Sequence, residues 1–166
     1  MSSKYILLAN LRSLYGNYDK ASKAIGIKLS TIYNWSAGHS DPHLDHLTSI
    51  SINTQINASH WIEENLISFK HTIRFSQSFP PNYYLKMNIR NLLVSTGKRR
   101  RDLVLGYYDG TDIMSPDTFD DYLSGKITAI PLYRLDQLGH FFNCPAHKLI
   151  EVTLNEEKGE CRKLLE

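Results

Sequence analysis

The chain of 166 residues has little cysteine, no long apolar run and almost no net charge. Its two cysteines, Cys144 and Cys161, are too few for a disulfide framework and lie in no C-x-x-C pair, so neither a stapled scaffold nor a zinc or redox site is read from them. Free thiols in a reducing compartment are expected. Asn10 and Arg12 interrupt the apolar stretch near the N-terminus, which argues against a signal peptide or a membrane span there and makes a cytoplasmic location, with no membrane partner, the expectation. The 19 Lys plus Arg stand against 17 Asp plus Glu, a net charge of +2. A chain so nearly neutral does not bind a polyanion by bulk charge, and any nucleic-acid reader in it must concentrate its charge locally. P-loop, G-x-S-x-G and H-E-x-x-H motifs are all missing, as is a Ser-Lys pair suited to self-cleavage. No enzymatic activity, cofactor or small-molecule substrate is therefore expected.

What is present is a globular composition, 42% hydrophobic and 22% charged, and a diverged internal repeat. Residues 10–14 read Asn-Leu-Arg-Ser-Leu and residues 88–92 read Asn-Ile-Arg-Asn-Leu. A longer correspondence follows. Lys28, Ile32, Trp35 and Gly38 are spaced as are Ser115, Phe119, Tyr122 and Gly125. Each set puts two large apolar residues on one helical face and a glycine where a left-handed C-cap is cheap. Past each glycine comes a proline, Pro42 or Pro131, then leucines at helical spacing: Leu44 and Leu47, or Leu132, Leu135 and Leu138. Each copy closes on a polar break and an apolar anchor, Asn57-Ala58-Ser59 before Trp61 and Ile62, and Asn143-Cys144-Pro145 before Leu149 and Ile150.

Within residues 18–35, Asn17 is placed to cap a helix running to about Ile25, Ala21 and Ser22 are small enough for a close helix approach, Gly26 permits a tight turn, and Ile27 and Ile32 supply the apolar contact between two crossed helices. With Leu11 and Arg12 before it and Gly38, Pro42, Leu44 and Leu47 after it, this stretch resembles the lambda-repressor-like, Cro-type helix-turn-helix family. The resemblance implies double-stranded DNA as the partner, with a helix from about Leu29 to Ser36 in the major groove. It places Leu29, Ser30, Thr31, Tyr33 and Asn34 at the bases. Tyr18, Lys20, Lys23 and Lys28 fall to the phosphate backbone, where contacts orient rather than specify. Asn34 suits an adenine edge and Leu29 a thymine methyl, whereas the helix has no arginine for guanine.

Residues 84–150 resemble the same family with two departures. The turn before the third helix is lengthened by the segment Leu105 to Met114, and that helix carries Asp117, Asp120 and Asp121, with no base until Lys126. Three carboxylates are repelled by DNA, which carries about one negative charge per 1.7 Å of axis. The basic run Lys98-Arg99-Arg100-Arg101 pulls the other way, as an auxiliary backbone or partner contact, a solvated helix start, or a group paired with the acidic helix. His43 and His46 lie one helical turn apart, but Pro42 and Leu44 already belong to the apolar pattern, and no metal is expected. Protonation of this histidine-rich loop below about pH 6.5 is expected to strengthen phosphate contacts.

The fold expected is all-α, with two tandem repressor-like units of four or five short helices: residues 1–65 as the DNA-binding domain, 84–152 as its diverged relative, an irregular connector over 66–83 that Pro80-Pro81-Asn82 ends, and a charged tail over 153–166. The function expected is transcriptional regulation, most simply repression, by a homodimer. The rival is a protein-interaction module, such as a phage-encoded inhibitor or an antitoxin-like protein, built on the same folds.

Overall fold

Helix-forming segments bounded by glycine, proline and capping residues account for nearly all of the regular structure among the described residues. The computed structural model describes residues 1–64, 79–99, 102, 107–108, 111–112 and 114–152. The connector over 66–78, Arg100, Arg101 and the tail with Cys161 lie outside the described residues. The fold is all-α: α1 (Ser3–Tyr15), α2 (Tyr18–Ile25), α3 (Leu29–Ser36), α4 (Leu44–Thr54), the single turn α5 (Ala58–Trp61), α6 (Pro81–Thr96), α7 (Pro116–Ser124), α8 (Leu132–Phe142) and a final 3-10 turn (Ala146–Leu149). Two-residue strands β1 (Tyr107–Tyr108) and β2 (Thr111–Asp112) pair antiparallel within the lengthened segment before α7, where the sequence suggested only a longer turn.

Pro80-Pro81-Asn82 starts a helix instead of separating one from a connector. Pro81 occupies the first turn of α6, where its missing N–H has no intrahelical partner to lose, so the helix begins ahead of residue 84. Tyr84 is fully buried on this helix, and Tyr83 stacks on Phe79 with ring centroids 4.4 Å apart.

The repeat has a structural counterpart in matched side-chain roles. Asn10 Nδ2 donates to Trp61 O at 3.1 Å and Glu63 O at 3.0 Å, tying α1 to the end of α5. Asn88 Nδ2 on α6 donates to the Lys148, Leu149 and Glu151 carbonyls at 3.3, 3.2 and 2.9 Å. The shift in number that carries Leu44 to Leu132 also carries Gln55 to Asn143, and both of these end their helices in the left-handed region, with φ of 56° and 54°. The same shift carries the His60–Glu63 pair onto the Lys148–Glu151 pair, each closed at 2.8 Å. Ser51, whose hydroxyl donates to Ile56 O at 2.5 Å, corresponds to Gly139, where a Cβ would lie 2.7 Å from Cys144 O. In both cases the chain returning from the helix passes too close for a large side chain.

The halves meet along α1, α4, α6 and α8. His43 and Pro131 form an antiparallel bridge in which Leu44 N–H donates to Ile130 O and Leu132 N–H to Pro42 O, both at 2.9 Å. Helix α1 packs on α8, α4 on α6, and α5 on the final 3-10 turn. A single apolar core runs through both halves, with Leu7, Leu11, Ile32, Trp35, Leu47 and Trp61 from the first and Leu85, Phe119, Leu135, Leu138 and Leu149 from the second. Cys144 is a free, half-buried thiol at its margin, and burial pushes its pKa up. Among the described residues no helix is long and apolar enough to cross a membrane.

Candidate nucleic-acid interface

The α2–α3 pair is built by short-range interactions that its residues dictate. Asn17 Oδ1 accepts from Lys20 N–H at 2.9 Å, taking up one of the amides that a helix start leaves without a partner. Ala21 and Ile25 are the buried face of α2. Gly26 follows with φ +71°, its N–H donating to Ser22 O at 3.0 Å, and the Ser22 hydroxyl closes the turn on Ile27 O at 2.6 Å. Asn53 on α4 donates to Ile25 O at 2.8 Å, so the turn is pinned from below. A Cβ on residue 26 would lie 2.7 Å from that same amide, which makes glycine necessary on two counts.

Helix α3 buries Ile32 and Trp35 and turns its other face outward. Ser30, Tyr33 and Asn34 are exposed, Tyr33 at 56%, while Leu29 and Thr31 are half-buried and offer only part of their surface. Lys28 at its start, and Lys20 and Lys23 on α2, are exposed beside it. Lys23 also pairs with Asp19 at 2.7 Å; an exposed pair of this kind is weak enough to be given up to a phosphate. Tyr18 is half-buried and meets the Tyr33 ring edge-on, centroids 5.9 Å apart.

Arg12, which the sequence suggested only as part of the preceding helix, joins this surface. Its guanidinium lies 5.6 Å from the Tyr18 ring centroid, so Arg12, Tyr18 and Tyr33 run from α1 across α2 to α3. Tyr5, Arg12, Ser13, Gly16, Tyr18 and Ser36 line a shallow groove at this edge. The signal available in the sequence was the spacing of Arg12 from Tyr18, but a contact between different helices cannot be read from spacing alone.

The histidine loop is structural. His46 Nδ1 accepts from the His43 backbone N–H at 3.0 Å, and its ring lies edge-on to Trp35 at 4.9 Å. Burial holds its pKa below the ordinary imidazole value, assisted by His43 and opposed by Asp45. The expected gain of phosphate affinity on protonating this loop does not extend to His46, because its protonation would remove the acceptor that starts α4. Among the described residues no group of three or more ligating side chains is placed to hold a metal ion.

The second half presents a different surface at the matching place. Ser115 Oγ caps Thr118 N–H at 3.2 Å, and α7 buries Phe119, Tyr122 and Leu123. Asp117 and Asp120 are exposed, and Asp121 is half-buried, 3.0 Å from Lys126. Of the basic run, Lys98 is engaged within the molecule: its ammonium donates to Phe141 O at the end of α8 and lies 4.3 Å from the Phe141 ring centroid. Arg99 N–H donates to Asp102 Oδ2 at 2.7 Å, with the side chains 3.7 Å apart. These two residues use partners other than the acidic helix. No family model, curated protein or solved structure matches the chain.

Proposed function

We propose that this protein is a sequence-specific double-stranded DNA-binding regulator of transcription, most simply a repressor, built from two repressor-like units and reading the major groove with α3. The observation that carries the reading is the α2–α3 surface. An exposed helix face without a carboxylate is flanked by Lys20, Lys23, Lys28 and Arg12, on a turn fixed by Gly26, Ser22 and Asn53. Ser30, Tyr33 and Asn34 face the base edges, with Leu29 and Thr31 at the rim, and Asn34 pairs with adenine. Tyr18, Lys20, Lys23 and Lys28 hold phosphates. A single short helix contributes few base contacts, so affinity rests largely on the phosphate contacts that flank it.

Fluorescence polarisation with random duplex DNA over a salt series tests this reading. Affinity should fall as salt rises, with a slope set by the phosphates contacted. A titration without salt-dependent binding at low ionic strength would refute it. On duplexes enriched from a random library, Asn34→Ala should weaken specific binding by about 1 to 3 kcal/mol.

A protein-interaction module is the second reading. It is favoured by α7, whose outward carboxylates suit a basic protein surface better than a phosphate backbone. Binding that survives in the presence of excess duplex DNA and is lost on neutralising α7 would favour it.

A further inference from the structure

The contacts between the halves come in exchanged pairs. Leu44 corresponds to Leu132 and Pro42 to Ile130, so the bond from Leu44 to Ile130 and the bond from Leu132 to Pro42 are images of one another. α1 meets α8 as α6 meets α4, and α5 meets its own counterpart, the final 3-10 turn. Such reciprocity is the signature of a two-fold interface between identical subunits. Here both partners belong to one chain, and the groups that would join two copies in this way are already used.

The correspondence that carries Ile32 to Phe119, Trp35 to Tyr122 and Gly38 to Gly125 carries Ser30, Tyr33 and Asn34 to Asp117, Asp120 and Asp121. The apolar members of both sets are buried, and both glycines are left-handed, with φ of 79° and 78°. Each carboxylate thus stands where the first half places an outward residue proposed to meet a base. The outer face changes from neutral to acidic, while the buried apolar positions and the left-handed glycine keep their character; α7 also buries Leu123 where α3 exposes Ser36.

We infer that one chain is the complete two-fold DNA-binding unit: it reads a single half-site through α3, while Asp117, Asp120 and Asp121 keep α7 out of the adjoining groove. This rests on the DNA reading above. The two-fold contact directs the second half towards the position of a dimer partner, and the charge on α7 prevents it from acting as one. The DNA site is then short and asymmetric, not palindromic.

Two measurements test it. Sedimentation of the free chain, which does not depend on DNA, should show a monomer up to tens of micromolar; a dimer in that range would overturn the two-fold assignment. On a duplex carrying two inverted copies of the enriched motif, native mass spectrometry should show each copy occupied independently by one chain, whereas cooperative loading in pairs would overturn it. The triple variant Asp117→Asn, Asp120→Asn, Asp121→Asn, checked for native circular dichroism, should bind that duplex about tenfold more tightly, with a footprint longer by about 10 base pairs. Unchanged affinity and footprint in a folded variant would refute the role given to α7, and a misfolded variant is replaced by the single changes at exposed Asp117 and Asp120, each expected to act in the same direction. If the wild-type chain binds no duplex, the DNA reading and the one-sided reading fall together, and sedimentation alone decides the two-fold assignment.

Discussion

At the start of α1, the Ser3 N–H donates to both Asp136 carboxylate oxygens at 3.1 Å, and the Ser3 hydroxyl donates to Oδ1 at 2.6 Å. The corresponding helix of the second half starts with Pro81, which has no N–H to donate, and the position corresponding to Asp136 is Thr48. The two changes go together physically: a carboxylate suits a helix N-terminus that offers donors, and loses its reason where proline removes one. The same pairing of shared skeleton and altered chemistry separates α3 from α7. Buried apolar positions and the left-handed ends at Gln55 and Asn143 are held to one plan in both halves because packing punishes departures, whereas outward positions are free to take opposite charge. The comparison teaches which differences are structural compensation, as at Ser3 and Pro81, and which alter only what the surface can bind.

The deepest test of the shared skeleton is removal of its anchors. Asn10→Ala and Asn88→Ala should each cost about 2 to 3 kcal/mol in urea unfolding, since each strands at least two carbonyls that now have a donor. A loss below about 0.5 kcal/mol at either, the size of an ordinary surface change, would break the equivalence of the halves. Next come the turn glycines. Gly26→Ala should cost about 2 kcal/mol, because strain at positive φ adds to the clash with Asn53, and Gly125→Ala about 1 kcal/mol, because space there is open. Equal losses at both would mean that Asn53 yields and does not pin the turn. Tyr18→Ala should cost about 1 kcal/mol and leave Tyr33 mobile, seen as sharper and less dispersed Tyr33 ring resonances.

Smallest is the dependence on pH. Burial lowers the imidazole pKa of both His46 in the first half and His147 in the second, with Glu63 opposing the effect at His147. The unfolded chain therefore takes up those protons first, so their contribution is complete above the ordinary imidazole value of about 6.5 and is lost as pH falls below it. Asp136 acts in the reverse sense. Burial raises its pKa against the bonds from Ser3, so the folded chain takes up its proton first and folding gains as pH falls through the raised value. Thermal melts from pH 7.5 to 5.5 should show declining stability, and His46→Gln should flatten the decline; a melt temperature that rises over this range would assign the wrong groups.

Much of the candidate site was legible because its determinants lie within a few residues of one another. The Asn17 cap, the Gly26 turn, the buried Ile32 and Trp35 and the left-handed glycines after α3 and α7 all follow from local geometry. The same local reading erred at Pro80-Pro81-Asn82, where two prolines spell a break as well as they spell a first turn, and only the burial of Pro81 and Tyr84 separates the two. It also left open the use of Lys98, whose partner, Phe141 O, lies on a helix far along the chain.

Most of the α-helices, the Asn17 and Ser115 caps, the repeat and the charge of the α3 and α7 faces follow from the sequence alone, since these depend on φ, ψ preferences and on neighbours one turn away. Long-range packing brought the halves onto one core with exchanged hydrogen bonds at His43 and Pro131, set Asp136 at the first helix and laid Arg12 against Tyr18. Those outcomes depend on which surfaces remain after each helix has buried its own apolar face, and that competition is settled by packing between distant segments, which no local spacing records.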